Sequence, residues 1–167
     1  MAEITLRPYR RADREAAVTL IQATNIAENA FTGDRREERA GASEHWDVLL
    51  PRLAESGGEV LLAVLEGHAQ EGAVVGLIAW APATDDLFVV EELRRYGIVE
   101  ELVVDPAWRR RGIATLLLEE VEARARQAGL PRLLIGVVAG NQPAEAAYAR
   151  FGFRPHVAIM AKPLNQP

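Results

Sequence analysis

The sequence predicts one domain of the α/β class, built on a mixed and mostly antiparallel sheet with flanking helices. Short apolar runs of strand length alternate with stretches of helical periodicity, in the order strand, two helices, three strands, helix, strand, helix, strand. The late strand–helix–strand unit implies two parallel neighbours, because such crossovers join parallel strands. With 167 residues, 49% of them hydrophobic, the chain suits a single domain over residues 1–167 with a substantial core.

The first third of the chain predicts an edge strand and two helices. Polar and apolar residues alternate over 4–8, as in a strand with one solvated face. Asp13 is placed to cap the first helix, and the polar stretch 25–41 is interpreted as a loop with room for a helical turn. Apolar residues at helical spacing predict the second helix over 43–54, with an end that Pro51 leaves uncertain.

The middle of the chain predicts a hairpin and one further strand. Apolar runs at 59–66 and 73–80 are joined by a turn at 67–72, so these two strands should pair antiparallel. The acidic segment 82–95 is interpreted as irregular with a short helix, and 98–104 as the next strand. These are the three consecutive strands of the predicted order.

The last third predicts the crossover and the final elements. A helix runs from Ile113 to a stop at Gly129, a strand covers 133–138, and a second helix occupies 141–152. The apolar residues 157–160 predict a last strand. The apolar face of the first of these helices consists of Ile113, Leu116, Leu117 and Val121.

Composition narrows the functional classes. The formal net charge of −5 argues against a nucleic-acid partner, which favours basic surfaces, and suits a small cation. The chain has no cysteine, which excludes disulfides, thiolate metal sites and a cysteine acyl-enzyme. His45, His68 and His156 are isolated and lack metal-ligand spacing, so we expect no metal, with His68 exposed in its turn. No signal-peptide core or membrane-length apolar run is present, which predicts a cytoplasmic protein without a membrane partner.

The segment between the fourth predicted strand and the next helix has the chemistry of an anion site. Arg109, Arg110 and Arg111 stand directly before Gly112 and the helix start. Cations there are repelled by the positive end of the helix dipole, but they become favourable once a polyanion binds. Free backbone N–H groups would bind phosphate oxygens, and Gly112 and Ala114 leave room for a close approach. The alternative is a solvated basic turn before an ordinary helix.

Two motifs resemble the GCN5-related N-acetyltransferase (GNAT) family. The family's pyrophosphate loop has the pattern Gln/Arg-x-x-Gly-x-Gly/Ala, which the segment 109–114 follows with Ala in the last place. The family's closing motif has Asn at a helix start, Tyr on the helix and Gly-Phe at its end, as the segment 141–153 does. The resemblance implies a GNAT-type acyl-CoA N-acyltransferase fold, in which a splayed pair of parallel strands holds acetyl-CoA as co-substrate.

The resemblance also implies how this chain would hold acetyl-CoA. The pantetheine would pair like an added strand with the backbone of Leu102, Val103 and Val104, where an N–H group near Val104 would stabilise the oxyanion. Asn141, which is also a plausible helix cap, and Tyr148 would lie on the far side of the cofactor. Seven consecutive residues would hold the pyrophosphate: Arg109, Arg110, Arg111, Gly112, Ile113, Ala114 and Thr115.

Tyr148 is the candidate general acid for the departing CoA thiolate. A phenol stays protonated at neutral pH, and the family often places its acid at this position. The alternative is a core aromatic, because Ala144, Tyr148 and Phe151 share one helical face.

The candidate bases are Glu100 and Glu101, on the strand before the pyrophosphate loop. Adjacent strand residues face opposite sides, so only one of them should reach the cleft. Glu100 is preferred, with Glu101 or water alone as alternatives. By strand periodicity Glu100 shares its face with Ile98, Leu102 and Val104.

The acceptor should bind near the segments 25–46 and 84–96, where the family carries its specificity. Candidate walls and cation attractors there are Phe31, Trp46, Phe88, Tyr96, Asp85, Asp86, Glu91 and Glu92. For most of them, a core aromatic or a solvated acidic loop is the simpler explanation.

The motifs together predict direct acetyl transfer from acetyl-CoA to a primary amine of a small molecule, within a ternary complex. The alternatives are a protein N-terminal or lysine acetyltransferase and a non-catalytic CoA-binding sensor. The apolar segment 157–160 also permits a homodimer through the last strands.

Overall fold

Five strands form one sheet whose spatial order follows the chain. The computed structural model describes residues 3–66 and 72–164, so all of the predicted turn at 67–72 except Gly72 lies outside the described residues, and His68 with it. The first four strands are antiparallel and the last pair is parallel, as predicted. The strands are β1 (Glu3–Pro8), β2 (Glu59–Glu66), β3 (Val74–Thr84), β4 (Arg95–Val104) and β5 (Leu133–Ile135).

Helices cover both faces of this sheet. They are α1 (Arg14–Thr32), α2 (Arg39–Ser56), the short α3 (Glu91–Arg94), α4 (Ile113–Gln127) and α5 (Gln142–Phe151). Alternate residues of β2 and β3 point to opposite faces, so Leu62 and Leu77 pack under α1 and α2 while Leu61 and Ile78 pack under α4. Within 3–66 and 72–164, no helix is long and apolar enough to cross a membrane.

The helix α1 is longer than predicted, and its start is built differently. Residues 25–32, predicted as loop, continue the helix, which ends at Gly33 in the left-handed region with φ 68°. Polar residues on this part of the helix hold the next segment, since the Asn25 amide donates to the Arg36 carbonyl. Asp13 precedes the helix but does not cap it, because its carboxylate is paired with Arg7 at 2.8 Å.

The helix α2 also exceeds its prediction at both ends. Pro51 lies inside it, and the helix continues to Ser56 because Trp46, Leu49 and Leu53 anchor one face in the core. Trp46 has no exposed surface and packs edge-on against Tyr9, with ring centroids 5.3 Å apart. It is therefore a core residue and not a wall of the acceptor site.

The sheet extends further than predicted between β3 and β4. Thr84 pairs with Arg95, so the predicted irregular segment shrinks to a short connection that contains α3. Beyond β4, the parallel pairing with β5 covers three residues only, Gly97–Val99 against Leu133–Ile135. After that point the two strands separate, and β5 ends before the predicted 138.

The predicted last strand at 157–160 is wrong. A strand needs a backbone partner, and no described strand pairs with this segment. Its apolar side chains lie in solvent, with Val157 78%, Ile159 95% and Met160 94% exposed.

The packing of α4 generates a test within one helix. Leu117 is fully buried against the sheet, whereas Leu116, predicted on the same face, is 40% exposed and Leu118 takes its place in the core. Leu117→Ala should lower the free energy of unfolding by about 2–5 kcal/mol, through lost burial and a cavity. Leu116→Ala, the matched control, should lower it by less than about 1 kcal/mol. Equal losses in urea denaturation would contradict the packing.

Candidate active site

A β-bulge in β4 sits where that strand loses its parallel partner. Trp80 of β3 pairs with Val99 and Ala79 pairs with Glu101, so Glu100 is an extra residue without a partner on β3. On the other side of β4, pairing with β5 stops at Val99. The backbone from Glu100 to Val104 therefore has a strand neighbour on one side only, and its other side opens into a cleft.

The bulge brings both candidate bases to the same face of the sheet. Glu100 and Glu101 each reach across to α2, where Glu100 accepts from Arg52 at 3.2 Å and Glu101 lies 2.7 Å from His45 Nε2. The extra residue resets the alternation, so Leu102 faces the α4 side. The prediction that only one carboxylate reaches the cleft is therefore wrong. The prediction that Glu100 shares a face with Leu102 and Val104 is also wrong, because these two residues face α4 while Glu100 faces α2.

A cavity of about 250 Å³ lies over the bulge. Three carboxylates border it, since Glu28 of α1 joins Glu100 and Glu101 there. Tyr148 of α5 also lines this cavity. The complete lining consists of Thr24, Glu28, Ile98, Val99, Glu100, Glu101, Leu102, Ile135, Gly136 and Tyr148.

The Tyr148 side chain packs at the edge of the core and also lines the cavity. Its ring packs edge-on against Phe153 at a centroid distance of 6.0 Å, and it belongs to the margin of the core under α4. Burial raises the pKa of the Tyr148 phenol to about 12, and the negative charges of Glu28 and Glu101 act in the same direction. The phenol therefore stays protonated well above neutral pH, as a proton donor must.

The N-terminus of α4 presents free backbone donors. The first hydrogen bond of this helix runs from Leu116 N–H to Gly112 C=O at 3.0 Å, which leaves the N–H groups of Ile113, Ala114 and Thr115 without a helical acceptor. No side chain caps this end, and no acidic residue lies in its first turn. An anion can therefore approach these donors without competition from the protein.

The loop before α4 needs unusual backbone geometry. Gly112 has φ 80° and Arg110 has φ 59°, both in the left-handed region. A Cβ atom at Gly112 would meet nothing within 4 Å, so glycine is required here by the backbone conformation. Two of the three arginines contact other parts of the protein. Arg111 lies over the Trp108 ring at 4.6 Å, and Arg109 Nε donates to the Val104 carbonyl at 3.2 Å.

The start of α5 confirms the predicted cap. The Asn141 side chain accepts a hydrogen bond from Ala144 N–H at 3.3 Å, and the helix ends at Gly152 with φ 115°. This helix carries Tyr148 to the cavity wall.

The residues predicted for the acceptor side are mostly elsewhere. Asp85 is paired with Arg132 at 2.6 Å, and Tyr96 lies under the same guanidinium. Phe88 is 85% exposed, and Phe31 is 45% exposed. Three acidic residues predicted there, Asp86, Glu91 and Glu92, are exposed and do not line the cavity.

Sequence reasoning missed the partners that α1 and α2 supply. Glu28 was not predicted because its segment was interpreted as a loop. His45 and Arg52 were not predicted because their partners lie on a strand about fifty residues further along the chain, and no local sequence pattern indicates such a contact. Their helical spacing on α2, seven residues apart, was the available signal that both lie on one face.

Comparisons with known proteins agree with this architecture. Residues 20–153 match the Acetyltransferase (GNAT) family. Among curated proteins, no sequence matches this chain significantly. The solved structures include a GCN5-related N-acetyltransferase from Ralstonia eutropha JMP134, which is 24% identical with TM-score 0.71 and covers 98% of this chain and 100% of its own.

Two further solved structures of similar fold contain CoA or acetyl-CoA. One is a predicted acetyltransferase with acetyl-CoA from Clostridium acetobutylicum, with 16% identity, TM-score 0.69 and coverage of 97% of each chain. The other is the aminoglycoside N-acetyltransferase AAC(6')-Iy in complex with CoA, with 13% identity, TM-score 0.70, and coverage of 99% of this chain and 97% of that one. At these low identities, the similarity to the solved structures shows the fold only. The family match covers residues 20–153, most of the sequence, and therefore shows the family. The protein belongs to the GNAT acetyltransferase family.

Proposed function

We propose that this protein transfers an acetyl group from acetyl-CoA directly to the primary amine of a small molecule. The observation that carries the proposal is the cavity at the bulge, where carboxylates and a phenol meet beside the unpaired backbone of β4. Membership of the GNAT family supports acetyl transfer as the reaction.

The geometry of the cleft fits an acyl-CoA. Within the segment 102–104, Leu102 and Val104 turn their backbone away from β3 and offer hydrogen-bonding groups to a pantetheine arm in the manner of an added strand, and the Val104 carbonyl already accepts from Arg109. The N–H groups at the start of α4 and the arginines before it offer donors and positive charge to a pyrophosphate. Since the loop directly follows β4, a cofactor laid along that strand would bring its thioester to the bulge.

The transfer is a single displacement with a tetrahedral intermediate. The nitrogen of the neutral amine forms a bond to the thioester carbonyl carbon, and a β4 N–H group stabilises the oxygen that gains charge. The C–S bond then breaks, the Tyr148 hydroxyl gives its proton to the CoA thiolate, and the phenolate afterwards takes a proton from water. The proton lost by the amine passes to Glu100 or Glu101, directly or through water.

Two features support the direct route and the small acceptor. The chain has no cysteine that could carry the acetyl group as a thioester intermediate. The cavity of about 250 Å³ is small, and the carboxylates of Glu28, Glu100 and Glu101 favour a cationic amine. The aminoglycoside N-acetyltransferase of the same fold is, by its name, an enzyme with such an acceptor.

The test of the proposed function is amine-dependent release of free thiol from acetyl-CoA. The panel contains spermidine, kanamycin, lysine, tyramine and a short peptide with a free N-terminus. We expect release with one of the small amines. Release with the peptide alone would favour a protein acetyltransferase, and CoA binding without release from any amine would favour a sensor.

The arginines before α4 generate a second test. Arg109→Ala combined with Arg111→Ala should weaken CoA binding about 10- to 100-fold, since charge-assisted hydrogen bonds contribute roughly 1.5–3 kcal/mol. Arg126→Ala is the matched control, because Arg126 lies at the other end of α4 and pairs with Glu122. Isothermal titration with CoA measures both, and an unchanged dissociation constant in the double variant would refute the anion site.

Tyr148 generates a third test. Tyr148→Phe should lower kcat by about 100-fold while the dissociation constant of acetyl-CoA stays within the range of the wild-type protein, because the phenol acts on the departing thiolate. Since its pKa is raised to about 12, the wild-type rate should show no loss from phenol ionisation up to about pH 10. Equal turnover in the two proteins would remove Tyr148 as the acid.

A further inference from the structure

A hydrogen bond between α2 and β4 connects the cavity with the protein surface. His45 Nε2 and Glu101 Oε1 are 2.7 Å apart. Glu101 lines the cavity and exposes 19% of its side chain, whereas His45 does not line it and exposes 42%. An ionised carboxylate cannot donate, so His45 Nε2–H is the donor and one carboxylate oxygen, Oε2, is left for the cavity.

Titratable and charged groups from four elements surround this pair. On β4 the neighbour is Glu100, and on α2 it is Arg52. The same cavity is lined by Glu28 on α1 and by the titratable but uncharged phenol of Tyr148 on α5. The hydrogen bond to Glu101 raises the pKa of His45, with the charges of Glu101 and Glu100 acting in the same direction, while burial and Arg52 lower it.

We propose that His45 is a positioning residue for this reaction, which holds Glu101 in place to accept the proton of the amine and controls the pH range in which it does so. This inference rests on the proposed function and names the base that it leaves open. His45 holds Glu101 Oε1 and directs Oε2 to the cavity, where the amine proton forms a new O–H bond as the N–H bond breaks. When product has left, that proton returns to water and the carboxylate is restored.

The two carboxylates differ in what their partners do to an incoming proton. Glu100 is paired with Arg52, a cation at every working pH, so a proton transferred to Glu100 would always break an ion pair. Glu101 is hydrogen-bonded to His45, and a proton transferred to Glu101 breaks an ion pair only while the imidazole is charged. Glu101 also lies close enough to Tyr148 for its charge to act on the phenol, which places it beside the proposed acid.

The sign of the pH effect follows from the direction of the His45 shift. Because the pKa of His45 is raised, the imidazolium persists above the usual range of histidine, and Glu101 is the weaker acceptor throughout that interval. As pH rises through the His45 pKa, the imidazole becomes neutral but still donates through Nε2–H. Above the His45 pKa, the rate of acetyl transfer by the wild-type protein should therefore rise by more than deprotonation of the amine alone produces.

The test compares His45→Gln with the wild-type protein, because glutamine keeps a neutral N–H donor and cannot be charged. With the fastest amine of the panel, the ratio of kcat in His45→Gln to kcat in wild type should be larger by about threefold or more at about pH 6 than at about pH 9. Ionisation of the amine cancels in this ratio. His156→Gln is the matched control and should give a ratio independent of pH, since His156 lies beside Arg132 outside the cavity.

Two glutamate variants separate the bases. Glu101→Gln should lower kcat by about 100-fold or more and Glu100→Gln by much less. A larger loss in Glu100→Gln, or a pH-independent ratio for His45→Gln, would overturn the inference and leave the proposed function standing.

A measurement without substrate completes the design. The pKa of His45, followed by NMR at the imidazole Cε1–H and assigned with His45→Gln, should fall in Glu101→Gln towards the ordinary value. An unchanged pKa would also overturn the inference. If the wild-type protein acetylates no amine, the proposed function fails and the inference with it, whatever the NMR titration shows.

Discussion

The structure depends on one constraint, the loss of a strand partner halfway along β4. The strand is paired with β3 along its length except at the bulged residue Glu100, but its parallel contact with β5 covers only Gly97–Val99. A buried strand with unpaired N–H and C=O groups is unfavourable in an isolated protein, because such groups need hydrogen-bonding partners. The cleft relieves this by admitting water or a ligand that can pair with the strand. The bulge at Glu100 lies at the same point and turns two consecutive carboxylates towards the opening.

The electrostatics of the two ends of the cleft are opposite. At the α4 end, arginines and free backbone N–H groups present positive charge and no carboxylate competes in the first turn. At the bulge, carboxylates dominate the cavity lining, and their cationic partners Arg35, Arg52 and His45 stand outside it. Under the proposed function, this separation of charge would orient a molecule with a polyanionic tail and an acyl head, and it would attract a cationic acceptor to the head end.

Local sequence signals were sufficient for the first five strands along the chain, for the parallel pairing at the crossover, and for both ends of α4 and α5. Strand length, Gly112 and the Asn141 cap act within a few residues of where they are read, and the structure agrees there. The face of the two glutamates could not be predicted, because a bulge depends on pairing with β3 and not on the residues of β4 alone. The same reason hid the contact between His45 and Glu101, which are 56 residues apart. The strand predicted at 157–160 is wrong because a segment with strand propensity forms a strand only when another strand pairs with it, and no described strand pairs with this segment.

Backbone hydrogen exchange with and without acetyl-CoA shows whether the unpaired side of β4 is the cofactor site. We expect the cofactor to slow exchange at the amides of Leu102 and Val104, which face the cleft, and at those of residues 113–115 at the start of α4. Exchange in β1 and β2, which are paired and lie away from the cleft, should change little. Protection confined to other segments, or none with acetyl-CoA demonstrably bound, would contradict the claim that the unpaired half of β4 and the α4 N-terminus together form the cofactor site.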